Sequence, residues 1–336
     1  MSNNNEDKKV IKTSINVDRS SKNQVNIDDE LKSTQKEERH IKPNKRTPEE
    51  IERELAQLKK NERKSLVLRI LIYLMAAITI FSLVYLILHI LINGIPYLNK
   101  DLFASKYTSE NASMMPAIKA TVYLVLLTLL VATPIGIFTG IYLSEYAKQD
   151  SRIVRIIRLS TETLSGVPSI VYGLFGMLLF VMRLQFGYSL LSGFLTMAIM
   201  VLPLIIRSSE QALNSIDDGL RAGSYALGAG KLYTIRKVLL PVAMPGIMAG
   251  VILSIGRIIG ETAALIYTLG TTAKSPTSLT DTGRTLALHM YVLSSEGFHV
   301  NEAYATGVIL IILVLIINFA SNAIGKKITQ SHAGEK

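Results

Sequence analysis

Arg257 and Glu261 stand four residues apart inside the apolar run Ile247 to Leu269. A full charge at bilayer depth costs at least ~2.5 kcal/mol even on lenient insertion scales, so such a pair needs either a partner or a task. On a continuous helix an i, i+4 spacing puts both groups on one face. Gly246, Gly250 and Ala264 share that face and Gly256 and Gly260 line the adjacent stripe, so other helices can approach closely there. Two readings are open. Either the pair neutralises itself and staples two helices, or it borders a polar route through the membrane.

Further chemistry-bearing positions surround this pair. Arg207 closes an apolar stretch beside the hydroxyls of Ser208 and Ser209, where it reads either as an anchor at the membrane surface or as a cation on the same route. Ser165, Ser169 and Thr133 lie next to Pro168 and Pro134, which bend helices. Each hydroxyl is either a ligand to cargo or a donor to its own helix carbonyl, and the prolines offer the route a broken-helix terminus as an alternative. A guanidinium fork matches the oxygens of an oxyanion better than an ammonium does. An anion competing with Glu261 for Arg257 would bind weakly enough to be released, as conduction requires.

These groups must be carried by membrane helices. Segments of about 20 apolar residues, long enough for ~30 Å of hydrocarbon, occur at Leu66 to Ile92, Ala117 to Leu143, Leu164 to Met182, Leu190 to Ile206, Val242 to Leu269 and Ala303 to Ile324. Six spans are therefore expected in an all-α polytopic membrane protein. The chain of 336 residues is 49% hydrophobic, yet its charge gathers at one end. Met1 to Lys64 is polar and is expected to be a disordered cytoplasmic tail. Thr47 as N-cap, Pro48 and Glu50 predict a short helix near 48–62 that leads into a peripheral helix at 65–95.

The net charge of +10 comes from basic residues that flank apolar spans, so it points to the membrane surface and lipid and not to nucleic acid. With no cysteine there is no disulfide, thiolate metal site or Cys nucleophile. Arg63, Lys64 and Arg69, then Arg152, Arg155 and Arg158, then Arg207, Arg221, Lys231, Arg236 and Lys237, then Lys326 and Lys327 all fall on one side of the six spans. That side is expected to be cytoplasmic, with both termini on it. No cleavable signal is expected, because the first apolar run follows a long polar stretch.

The segment 213–241 is too patterned for a linker. Asp217-Asp218-Gly219 makes an acidic turn, a small-residue helix follows, Gly228 interrupts it, and a basic helix ends at Pro241. The run Arg221-Ala222-Gly223-Ser224-Tyr225-Ala226-Leu227-Gly228, with Leu240-Pro241 beyond it, resembles the EAA signature of ABC-importer permeases. Gly228, Leu240 and Pro241 agree with that signature; Ala222 replaces its Glu, and Gly223 and Ser224 replace its Ala residues. The resemblance implies a coupling helix that docks on a cytoplasmic ATPase.

A more specific likeness rests on four further stretches taken together. They are Ala132-Thr133-Pro134-Ile135-Gly136 with Gly140-Ile141-Tyr142-Leu143-Ser144-Glu145-Tyr146, Pro168-Ser169-Ile170-Val171-Tyr172-Gly173-Leu174-Phe175, Ile206-Arg207-Ser208-Ser209-Glu210, and Gly256-Arg257-Ile258-Ile259-Gly260-Glu261-Thr262-Ala263. Together they resemble PstA-type permeases of phosphate importers over roughly residues 117–327. The likeness implies a type I (MetI-like) permease domain at 112–328 in a prokaryotic plasma membrane. Its implied partners are a PstC-type permease, two ATPase subunits and an extracytoplasmic phosphate-binding protein. ATP and Mg would be used by the ATPases, this chain binding no cofactor and having no GxxxxGK[ST] sequence of its own. Permeases for sulfate, molybdate or phosphonate, and more distantly a membrane-embedded enzyme or receptor, are the rivals. Against an enzyme stands the lack of any convergent His, Cys or carboxylate cluster, and against a receptor the lack of a folded cytoplasmic output domain.

Overall fold

The computed structural model describes residues 48–148 and 151–333. Among them there are helices and connecting turns and no strands. The tail before Pro48 and the expected Thr47 cap lie outside the described residues. Helix α1, Pro48–Gly94, runs without interruption, so the short leading helix and the first span are one element. No glycine or proline after Pro48 breaks it before Gly94. Two compact units divide within α1, residues 1–81 and 82–336. In the first, residues 65–81 are exposed throughout and mostly apolar. Apart from the span that begins at Ser65, all that follows concerns the second.

Five helices are long and apolar enough to cross a membrane: Ser65–Tyr97 within and just beyond α1, α2 (Met115–Tyr146), α5 (Leu190–Asn214), α7 (Lys231–Gly260) and Val300–Ala323. A sixth crossing exists only if α3 (Arg152–Ser165) and α4 (Ser169–Arg183) are counted as one, and these are bent by 108° at their junction. The expected span Leu164 to Met182, with its bend at Pro168, is therefore two helices. Pro168 carries no N–H and holds an extended ψ of 143°, and Gly166 closes α3, so the backbone bonds cannot run through.

The remaining elements are short helices outside or between these spans. They are α6 (Asp218–Ala226), α8 (Ala263–Ile266) and α9 (Leu286–Glu296), with α10 (Val300–Ala333) carrying the last span. The basic helix expected to end at Pro241 does not end there. It runs on from Lys231 to Gly260, because a proline within the first residues after a wider turn loses little hydrogen bonding.

The core is built by α2, α5 and α7. Leu124 and Val125 meet Met197, Met200, Val201 and Ile205, with Val251, Ile255, Ile258 and Ile259 closing the layer. Lipid is as apolar as these side chains, so close van der Waals packing and not water exclusion favours the assembly. Small residues permit that packing. At Gly173, on α4, a Cβ would fall 2.7 Å from the Cα of Ala264, a backbone atom that cannot give way. That contact seats α4 against α8 and thereby fixes the neighbourhood of Arg257.

Candidate functional site

The apolar run around Arg257 is not one helix. α7 ends at Gly260, and Glu261 is extended, with φ −75° and ψ 131°. The i, i+4 relation therefore fails, and Arg257 and Glu261 form no ion pair. Glu261 is 9% exposed, and its Oε1 accepts the Ala264 backbone N–H at 3.1 Å. A carboxylate there satisfies one of the donors that a helix start leaves unpaired, so Glu261 caps α8 instead of neutralising the arginine. The competition between backbone and side chain for those donors is what stops α7.

Arg257 sits half-buried in the last turn of α7, where a cation favours the negative end of the helix. Among the described residues, no hydrogen bond or ion pair engages its guanidinium. Tyr172, on α4, is a residue that sequence reasoning did not single out. Tyr172 is 4% exposed, and its hydroxyl donates to the Leu164 carbonyl at 2.7 Å, tying α4 back to α3 across the break. Ser169 is the first residue of α4, directly after Pro168. Two interrupted helices thus come together where α4 packs on α8 at Gly173 and Ala264, and the last turn before one of the breaks carries Arg257.

The other candidates separate. Arg207 is exposed and lies within α5, which continues to Asn214 and so does not end at the arginine. It lines a cleft of about 400 Å³ with Arg158, Thr161, Glu162, Glu210 and Gln211. Arg158 is committed there to Glu210, at 2.7 Å. Ser208 donates to the Ile205 carbonyl at 3.2 Å and Ser165 to that of Glu162 at 2.7 Å, as Ser in membrane helices usually does. The hydroxyls of Ser209 and Thr133 are buried and unpartnered.

The elbow has the expected turn. Gly228 has φ +80°, in the left-handed region that a β-branched residue resists. Ala222, Gly223 and Tyr225 are exposed, Ser224 is buried and shares a 2.8 Å hydrogen bond with Thr234, and Leu240 and Pro241 are half-buried. Leu227 and Leu232 are 90% and 71% exposed, beside a depression of about 820 Å³ lined by Leu220, Gly223, Tyr233 and Val238. Such an apolar patch on a basic, outward-facing elbow has the character of a docking surface.

What holds the elbow is a pair of residues 76 positions apart. Arg221 donates to Glu145 Oε1 at 2.9 Å, to Asp218 at 3.0 Å, and to the carbonyls of Ile216 and Leu213 at 2.9 and 2.8 Å. The Glu145 side chain is 5% exposed. α6 is thereby pinned to the end of α2. Lys231 adds a second tie, its ammonium 4.6 Å from the centre of the Tyr146 ring.

Among the described residues, no group of three or more His, Asp or Glu side chains is placed to hold a metal ion. In the connection 267–299, Asp281 accepts from the backbone and hydroxyl of Thr277 and from the backbone of Ser278. These bonds hold its carboxyl below the usual range.

Residues 132–331 match the family described as binding-protein-dependent transport system inner membrane component. The chain is 34% identical over 273 residues to the probable ABC transporter permease protein YqgI of Bacillus subtilis (strain 168), covering 76% of this chain and 92% of that protein. It is also 34% identical over 206 residues to the phosphate transport system permease protein PstA 2 of Mycobacterium bovis, covering 61% and 68%. In fold it resembles a chain of a bacterial ABC transporter involved in the import of the acidic polysaccharide alginate, with a TM-score of 0.58 at 18% identity over 82% of this chain and 99% of that one.

Proposed function

The chain belongs to the family of binding-protein-dependent transport system inner membrane components, a polytopic ABC-importer permease, and on that premise we propose that the solute it passes is inorganic phosphate. The observation that carries this reading is the Arg257 guanidinium, which no carboxylate or carbonyl among the described residues engages, in the last turn of α7 before that helix breaks. Phosphate at neutral pH carries between one and two negative charges, and its oxygens fit that fork. The PstA names among relatives support phosphate over other oxyanions.

In this reading the chain pairs with a PstC-type permease, two ATPase subunits that use ATP and Mg, and an extracytoplasmic phosphate-binding protein. The elbow side, rich in Arg and Lys, faces the cytoplasm together with both termini. ATPase closure moves α6, and because Arg221 ties α6 to Glu145, the end of α2 moves with it. α2 packs on α5 and α7, so the displacement reaches Arg257 and changes which side of the membrane it faces. Arg257 attracts the anion, while Arg207 in its cleft offers a second cation nearer the elbow.

Competition tests the substrate. Uptake of labelled phosphate by cells that depend on this chain should persist in a tenfold excess, roughly, of sulfate, molybdate or phosphonate and fall with unlabelled phosphate. Suppression by one of the other anions at equal concentration would reassign the cargo to it.

A further inference from the structure

Arg284 lies in the connection between α8 and α10, at the opposite end of α7 from the elbow, and nothing in the transport route described above uses it. It is 4% exposed. Its guanidinium carbon sits 4.7 Å from the centre of the Tyr107 ring, so one face of the cation is stacked and its edge is left over. The two donors of that edge, Nε and Nη2, are buried, and no acceptor among the described residues meets them. No carboxylate forms an ion pair with it either. A buried guanidinium whose Nε–Nη2 fork is free is built to take a bidentate oxyanion.

A second group borders the same ring. His289, on α9, meets Tyr107 edge-on with centroids 6.0 Å apart. Its Nε2 is 3.3 Å from the carbonyl of Ala112, and a carbonyl only accepts, so Nε2 carries the hydrogen. Nδ1 is then an acceptor, and it too is buried and unpartnered. Burial and the nearby Arg284 charge push the imidazole down to about 3, which keeps that lone pair free at neutral pH. The hydroxyl of Ser275, on the stretch that packs against Gly283, is a further buried atom without a partner.

Around the Tyr107 ring the cluster thus offers a donor fork and an acceptor. Hydrogen phosphate presents oxygens and one hydrogen; sulfate presents oxygens only. We propose that Arg284 and His289, framed by Tyr107, form a second anion site at the end of the permease opposite the elbow, selective for an oxyanion that still carries a hydrogen. The proposal rests on the phosphate reading and deepens it: the anion is held and checked for its hydrogen here before it reaches Arg257. The 4% exposure of Arg284 suits a small inorganic ion better than the side chain of a docked protein.

Two measurements on the assembled importer test it. In proteoliposomes, Arg284→Gln should raise the half-saturating phosphate concentration by about tenfold or more with the maximal ATP-driven rate within about twofold of the parent, and Arg284→Lys should fall between them. In crystals of the unsubstituted complex, arsenate should give an anomalous peak within hydrogen-bonding distance of Nε and Nη2, and selenate, which lacks the hydrogen, should not. An unchanged half-saturation in the Gln variant overturns the proposal. So does the absence of arsenate at saturating concentration, which would leave ordered water only, or a Gln variant that loses binding-protein docking alone, which would assign the fork to a partner's carboxylate. If the unsubstituted importer takes up no phosphate at all, the phosphate reading fails separately, and the arsenate and selenate data still decide the site.

Discussion

Replacing Arg257 with glutamine should abolish phosphate uptake while the protein remains inserted and assembled with its partners. Glutamine keeps most of the volume and some hydrogen-bonding capacity of arginine but removes the charge and the five-donor fork. Arg257 makes no ion pair and no hydrogen bond among the described residues, so its loss leaves no carboxylate among them orphaned, and Glu261 continues to cap α8. Fold and assembly should therefore survive. Removing one partner from a desolvated charge pair with cargo costs ~2–5 kcal/mol, and the middle of that range is a loss of about a hundredfold or more. Arg257→Lys should recover only a small part, because an ammonium is a point charge without the bidentate geometry. Near-normal uptake in the glutamine variant, at matched membrane levels, would leave Arg257 a packing residue.

Glu145→Ala should separate ATP hydrolysis from transport. The carboxylate is 5% exposed and accepts two of the bonds that fix Arg221, so truncating it leaves a largely desolvated guanidinium tied only to Asp218 and two carbonyls. Breaking one side of a buried pair costs roughly 3–5 kcal/mol, less where water still reaches the partner, as it does here at 17% exposure of Arg221. The elbow should then move without carrying α2, and reconstituted complexes should hydrolyse ATP with little accumulation of phosphate. Gly228→Val should give the same result by another path, since φ +80° is strained for a β-branched side chain and the turn that presents Leu227 would be lost. Intact coupling in both variants would mean that the elbow does not transmit the stroke.

The elbow and the spans were legible in the sequence because both depend on local rules. A glycine between two helical patterns marks a left-handed turn, and a run of some twenty apolar residues marks a crossing. The interruption at Glu261 was not legible, since Val242 to Leu269 is apolar on both sides of it and a capping carboxylate looks the same in sequence as a helical one. Pro168 was read as a bend that could give a broken-helix terminus, and with Gly166, two residues before it, it makes a break of 108°. The tie between Glu145 and Arg221 joins positions that no periodicity connects. Arg284 and His289 escaped because 270–302 read as a loop. The one available signal was Leu286 to Leu293, an apolar run too short to span and too long for a turn, which needs a buried surface beside it.

The central claim is that this permease passes phosphate at the expense of ATP. The direct measurement is accumulation of labelled phosphate in proteoliposomes that contain the purified chain with its partner permease, its ATPase subunits and its external binding protein. Accumulation should require ATP on the elbow side, binding protein on the other side, and Arg257. ATP-dependent accumulation of sulfate or molybdate with none of phosphate, or phosphate movement indifferent to ATP, would contradict the account.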